Sequence, residues 1–298
     1  MNTATLKFLL RYGLKPWLRP PLPIALQRRL VALGVALNSR VAPGVTLRRE
    51  MLDGVAGEVL MPEAGARGAL LYLHGGAFVL GSPASYRALA SRLALASGMA
   101  VHVPDYRLAP EHPNPAQLQD ALRAYRALLA SGAKRVALAG DSAGGMLALR
   151  LLLALKDRQL PRPEALALIS PWTDFTLSGE SQRSHAARDP LLSAAWLRQA
   201  TAAFAGGATL PAPLLESDLS ALPPTLVQVG SEEILLSDSE RLAARAQAAG
   251  VPLRLRCYQG LWHDFQLHAG VFAPADAALD EMGGFLRAAL DSRIAQAA

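Results

Sequence analysis

The chain has 298 residues, of which 51% are hydrophobic and 18% charged, enough apolar material to bury one large core, so a single domain is expected. The formal net charge of +6 is carried mostly by scattered arginines, without a basic tail or an aromatic-interleaved basic run, which excludes nucleic acid as a partner. No stretch is long and uncharged enough to cross a bilayer, since LALRLLLALKD is interrupted by Arg150 and ends in charge, so no stable membrane insertion is expected.

Residues 1 to about 45 alternate helical patches, LKFLLRYG and IALQRRLVALGVAL, with prolines at 16, 20, 21 and 23, a pattern of short kinked amphipathic helices. The opening segment lacks a long apolar region and a small-residue cleavage site, so no signal peptide is assigned and a cytoplasmic location is expected. From Val45 the pattern turns to strands. VTLRREML and GVAGEVLMP alternate partially, as antiparallel edge strands do, and ALLYL is a continuous apolar strand running into His74-Gly75-Gly76-Ala77-Phe78. A helix (SYRALASRLALASG), a buried strand (MAVHVP) with a proline-rich loop, and an amphipathic helix (QLQDALRAYRALLAS) follow.

RVALAG is the next buried strand, AGGMLALRLLLAL the helix after it, and LALIS, TLVQVG and LRLRCY supply further strands. SDSERLAARAQAAG and DAALDEMGGFLRAALDSR are the last helices. This alternation predicts an α/β fold, a mostly parallel sheet of about eight strands with helices on both faces and ligand binding at the strands' carboxyl ends. One long insertion, from about Phe175 to Ala221, contains a helical patch and a proline-rich return. With residues 1–45 it is expected to form a cap over that edge. Cys257, the only cysteine, precludes an intramolecular disulfide and is read as a packing residue of its strand.

Chemistry concentrates at Gly140-Asp141-Ser142-Ala143-Gly144, where a buried strand stops at a glycine, turns through a serine and restarts as a helix. A serine hydroxyl becomes nucleophilic only where a base can take its proton, so it must project from such a turn, with Gly140 and Gly144 letting the turn close and Gly145 bringing the helix near the sheet. Acyl transfer also needs amides that bind the developing oxyanion. The side-chain-poor His74–Phe78 loop offers Gly76 and Ala77 as donors, Ala143 adds the amide after the serine, and Gly75 is counted with this oxyanion set as the residue that shapes its turn.

His263, in the loop after the last strand, is the expected base in preference to His268. His74 and His102 are read as structural, and His112 and His185 as loop or cap residues. Asp264 is a poor orienting group for its neighbour because adjacent side chains diverge. The orienting acid should lie in Gly230-Ser231-Glu232-Glu233-Ile234-Leu235-Leu236-Ser237-Asp238, where Asp238 reads as a helix-start residue and chemistry alone leaves Glu232 and Glu233 open.

In that order and at those separations, HGGAF, DYRLAPEHP, GDSAGG, SPWTD and LWHDF resemble the hormone-sensitive-lipase family of α/β-hydrolase carboxylesterases, over nearly the whole chain. The resemblance implies a capped α/β-hydrolase fold that hydrolyses short to medium acyl esters through an acyl-enzyme, with no cofactor and no metal. It places the nucleophile at Ser142, the base at His263 and the acid at Glu233, where the family usually has Asp. Ala77 stands where the family's loop usually has a third glycine, which keeps the amide but adds a methyl to the pocket floor. The expected partners are a small-molecule ester and, at most, a second copy of the chain as a homodimer. An amidase, lactonase or transacylase could use the same triad; a receptor-like relative without the base is disfavoured by His263.

Overall fold

The computed structural model describes residues 1–133 and 135–297. Its frame is an eight-stranded sheet in the order β1-β2-β4-β3-β5-β6-β7-β8. In chain order these are β1 (Val45–Leu52), β2 (Val55–Pro62), β3 (Ala69–Leu73), β4 (Ala100–Pro104), β5 (Val136–Asp141), β6 (Leu166–Ile169), β7 (Thr225–Gly230) and β8 (Leu253–Tyr258). β2 runs antiparallel to both β1 and β4, and every other pairing is parallel. The helices are α1 (Thr3–Phe8), α2 (Ile24–Asn38), α3 (Arg87–Ser97), α4 (Ala116–Ala130), α5 (Ser142–Asp157), α6 (Ser181–Ser184), α7 (Ala194–Ala205), α8 (Leu236–Ala248) and α9 (Ala273–Ala297).

Strand periodicity divides the core. Leu71, Leu73 and Leu138 face the layer that holds α4, α5 and α8, while Leu70, Tyr72, Ala137 and Ala139 face α3 and α9. β3, β5, β6 and β7 are buried along their whole length, which is why they read as continuous apolar runs. β8 is an edge strand with β7 on one side only. Its packed face ends at Leu255, so Cys257 is exposed and the expectation that it packs is corrected.

The N-terminal stretch forms α1, a π-helical turn (Leu9–Leu14), a 3-10 turn (Lys15–Trp17) and, after Pro20, Pro21 and Pro23, α2. Leu6 and Leu10 pack it on Trp262, Phe265 and Phe272 beside the last loops. The long connection between β6 and β7 contains α7, capped by Ser193 Oγ accepting from the Trp196 amide at 3.3 Å and stopped at Gly206, whose φ is +57°. Two amides tie these remote segments together. Gln27 Oε1 accepts from Trp196 Nε1 at 2.8 Å, and Gln199 Nε2 donates to the Leu22 carbonyl at 2.9 Å. Among the described residues no helix is long and apolar enough to cross a membrane.

Candidate active site

The site forms where β3, β5, β7 and β8 end. β5 stops at Asp141 and α5 starts at Ser142, which takes a left-handed φ of +50° that turns its side chain out of the strand-to-helix corner. A Cβ at Gly144 would lie 2.0 Å from the Leu73 carbonyl oxygen, so only glycine lets the first turn of α5 rest on β3. A Cβ at Gly145 would lie 3.0 and 3.1 Å from Pro171, just past β6, and 3.5 Å from the Gly140 carbonyl oxygen of β5, so this glycine also keeps α5 close to the sheet.

His263 comes from the loop after β8. Its Nε2 lies 3.0 Å from Ser142 Oγ, and its Nδ1 is 3.2 Å from Glu233 Oε1. Glu233 is fully buried; its other oxygen accepts from Ser170 Oγ at 2.7 Å and the Gly230 amide at 2.9 Å. Burial raises the Glu233 pKa while the bonds from His263 and Ser170 pull it down, the balance being a rise. In the neutral tautomer with the proton on Nδ1, that N–H donates to Glu233 and the Nε2 lone pair accepts from the Ser142 hydroxyl.

Glu232, the other glutamate left open, points away. It pairs with Lys7 Nζ at 2.5 Å and so ties the loop to α1. Asp238 does stand in the first turn of α8, but its fully buried carboxylate accepts from the Thr173 and Asp174 amides at 2.7 and 3.1 Å, fixing the SPWTD loop, and burial pushes its pKa up to about 7.

The His74–Phe78 loop carries positive φ at Gly76 (+103°), Ala77 (+54°) and Phe78 (+63°). Gly76 and Ala77 line the cavity beside Ser142, and Ala143 sits in the first turn of α5, where amides lack intrahelical acceptors and the helix dipole presents its positive end. Gly75 differs from its neighbours. Its amide donates to Asp141 Oδ1 at 2.9 Å and to the Tyr86 hydroxyl at 3.0 Å, so as a member of the oxyanion set it is corrected to a turn residue only.

His74 stacks on Tyr106 at 4.2 Å with Nδ1 on the Gly75 carbonyl, and burial lowers its pKa to about 4. His102 pairs with Glu50 at 2.8 Å across the sheet. His112 is exposed and His185 bonds to Ser184 Oγ, both away from the site. His268 lines the far wall of the cavity, with its pKa lowered to about 4 by burial.

Sequence reasoning missed several participants. Asp141, directly before the serine, is fully buried and accepts from Tyr72, Tyr86 and Gly75, bracing the His74–Phe78 loop against the elbow. Burial and the nearby Asp264 push its pKa up, against the pull of those donors. Asp189 accepts from the Ile234, Leu191 and Leu192 amides at 2.9, 2.8 and 2.8 Å, joining the acid loop to the insertion. The GDS and SPW triplets carried the signal for Asp141 and Ser170; nothing local marked Asp189.

Asp264 is the clearest correction. It adopts φ +53°, a conformation that swings its side chain back, so Oδ2 lies 3.0 Å from His263 Nε2 instead of diverging from it. It meets the nitrogen that faces Ser142, so it does not replace Glu233 on Nδ1. Burial lowers the His263 pKa, but Asp264 and Glu233 outweigh it and the net shift is well upward.

Ser142, His263 and Asp264 open on a cavity of about 290 Å³ whose other walls include Leu14, Leu30, Val31, Leu191 and Trp196. A serine on a strand-to-helix elbow, a histidine after the last strand beside it and a mostly parallel eight-stranded sheet define an α/β hydrolase, and a family model described as alpha/beta hydrolase fold matches residues 70–267. An esterase of the bacterial hormone-sensitive lipase family has the same fold at a TM-score of 0.90, with 37% sequence identity over 97% of this chain and 98% of that one. The chain is 41% identical over 250 residues to an esterase of Acinetobacter venetianus, covering 82% of each. It is 43% identical over 225 residues to an acetyl-hydrolase of Streptomyces hygroscopicus, covering 74% of this chain and 75% of that protein. The chain therefore belongs to the hormone-sensitive-lipase family of α/β-hydrolase esterases and is a carboxylic ester hydrolase.

Proposed function

We propose that Ser142, His263 and Glu233 act as nucleophile, base and orienting acid in the hydrolysis of short to medium acyl esters through an acyl-enzyme. The observation that carries this reading is the unbroken line from Glu233 through His263 to Ser142, at 3.2 and 3.0 Å, inside a cavity of about 290 Å³. Ser142 Oγ attacks the ester carbonyl while its proton passes to His263 Nε2. The carbonyl oxygen takes up the negative charge and is held by the amides of Gly76, Ala77 and Ala143 at the positive end of α5. As the C–O bond to the alcohol breaks, Nε2 hands that proton to the leaving oxygen. Water then gives one proton to Nε2 and its oxygen to the acyl carbon, the proton returns to Ser142, and the acid departs. Glu233 holds the tautomer throughout and stabilises the imidazolium.

The size of the cavity supports the substrate range, since it lies at the lower end of ligand pockets, roughly 300–1,000 Å³. The acetyl-hydrolase name of the Streptomyces hygroscopicus relative agrees with a short acyl group. Residues 1–45 and about 175–221 serve as the cap on a single domain, because Leu14, Leu30 and Val31 from the first and Leu191 and Trp196 from the second line the cavity.

The test is covalent trapping. A serine-directed phosphonate should add its mass to the peptide containing Ser142 and stop turnover of p-nitrophenyl butyrate in proportion. Label on another residue, or turnover that survives full labelling, would overturn the assignment.

A further inference from the structure

Asp264 is an unusual group to find beside a catalytic base. Its residue is only 5% exposed, it lines the cavity, and Oδ1 is buried without a hydrogen-bond partner while Oδ2 lies 3.0 Å from His263 Nε2. An ionised carboxylate can only accept. When His263 is neutral and ready to act, Nε2 carries a lone pair directed to the Ser142 hydroxyl, so Oδ2 then faces a lone pair and neither Asp264 oxygen receives a donor. Nearby donors are committed elsewhere, since the hydroxyls of Tyr72 and Tyr86 and the Gly75 amide all serve Asp141. An uncompensated buried acceptor of this kind is costly, and a ligand that brings the missing donor recovers that cost.

We propose that Asp264 is an acceptor subsite for the alcohol half of the ester, selecting esters whose alcohol bears a hydroxyl or a protonated amine two carbons from the ester oxygen. These are partial esters of diols and polyols, or esters of amino alcohols. The inference rests on the reading of Ser142 and His263 as nucleophile and base. In that reading Nε2 returns its proton to the leaving oxygen, which places that oxygen within hydrogen-bond reach of Nε2. Asp264 Oδ2 is 3.0 Å from the same nitrogen, so a donor three bonds further along the alcohol falls within its reach. The carbonyl oxygen is held on the other side by the Gly76, Ala77 and Ala143 amides, which leaves the acyl chain to the leucine walls.

The experiment compares kcat/KM for propyl butyrate, 2-hydroxyethyl butyrate, 2-(dimethylamino)ethyl butyrate and butyrylcholine, each divided by its hydroxide-catalysed rate. Butyrylcholine carries the charge without a donor. At least one donor-bearing ester should exceed propyl butyrate by about tenfold, as a charge-assisted hydrogen bond supplies, with the faster of the two identifying hydroxyl or ammonium as the source. Butyrylcholine should stay near propyl butyrate. Asp264→Asn, a residue tolerant of left-handed φ, should abolish the ammonium preference and reduce the hydroxyl preference; Asp264→Gly, which suits that φ and lacks any acceptor, should abolish both. Wild-type ratios within twofold of one, butyrylcholine matching the donor esters, or ratios unchanged in both variants would overturn the subsite. Loss of propyl butyrate turnover in Ser142→Ala checks the underlying reading separately: turnover that survives there sinks the triad, whereas serine-dependent turnover with flat ratios sinks the subsite alone.

Discussion

The floor of the cavity and its roof are held by different forces. On the floor two buried carboxylates have assigned donors, Ser170 and Gly230 for Glu233 and Tyr72, Tyr86 and Gly75 for Asp141, and Asp189 of the insertion, held by Ile234, Leu191 and Leu192, joins the edge of the roof to them. Such bonds are directional, and removing a partner from a buried charge costs about 3–5 kcal/mol, so the floor is fixed in position. The roof is mostly leucine and tryptophan facing inward, with Phe8, Tyr12, Trp17 and Leu33 exposed on the N-terminal segment. Apolar contact is non-directional and tolerates changes of shape. The floor therefore fixes the reaction, and the roof is where specificity can be altered without disturbing it.

The largest effect is expected from the floor's reacting atom. Ser142→Ala should lower ester turnover on the order of 10⁴- to 10⁶-fold while the protein remains folded, because the change removes only a hydroxyl. A tenth of wild-type activity in that variant, with thermal unfolding unchanged, would end the serine mechanism.

Next come the two adjacent glutamates, one belonging to each region. Glu233 is fully buried against His263, whereas Glu232 bonds to Lys7 of α1. Glu233→Gln keeps the shape, removes the charge and should cost roughly 10²- to 10⁴-fold in kcat. Glu232→Gln should cost less than about tenfold, since its partner is a part-exposed lysine at the edge of the roof. Finding the two in reverse order would move the acid to Glu232.

This contrast also explains what was legible in the sequence. The elbow, the His74–Phe78 loop and the histidine after the last strand each occupy a few consecutive residues whose backbone demands are written in their glycines, so the meeting of Ser142, Gly76 and His263 at one cavity was legible in the sequence. The buried strands were legible because β3, β5, β6 and β7 are covered on both faces and run apolar throughout. Partnerships between distant segments were not legible. Asp189 reaches Ile234, and Gln27 reaches Trp196, only after the chain has folded. Asp264 was misread for a different reason: side chains of neighbours diverge in extended backbone, and its left-handed φ of +53° lies outside that rule. Cys257 was misread because a strand's composition does not say that it will lie at the edge of the sheet.

The roof should yield to a milder change. Trp196 lines the cavity and donates to Gln27 at 2.8 Å. Trp196→Leu removes the ring and that bond, opening room for one or two more methylenes at ~0.8 kcal/mol each, or roughly fourfold per methylene in kcat/KM. A p-nitrophenyl ester series should show the optimum moving to longer chains. An optimum that stays in place would mean that Trp196 does not bound the acyl site.

The smallest expected effect at the pH optimum is on the floor again and concerns its acid limb. His263 must be neutral to take the Ser142 proton, so activity rises as pH passes through its pKa. The groups facing it are Glu233 after β7, Asp264 on its own loop and Asp189 from the insertion. All are acids, and Asp264 is the foremost of those that hold the imidazole pKa above its ordinary value. Asp264→Asn removes that charge and leaves burial pulling downward, so the acid limb of kcat/KM should move to lower pH. Propyl butyrate, which offers Asp264 no donor, is the substrate for this measurement, because it separates the effect on the base from any loss of recognition. A limb that stays in place or moves to higher pH would show that the Asp264 charge does not set the working range of His263.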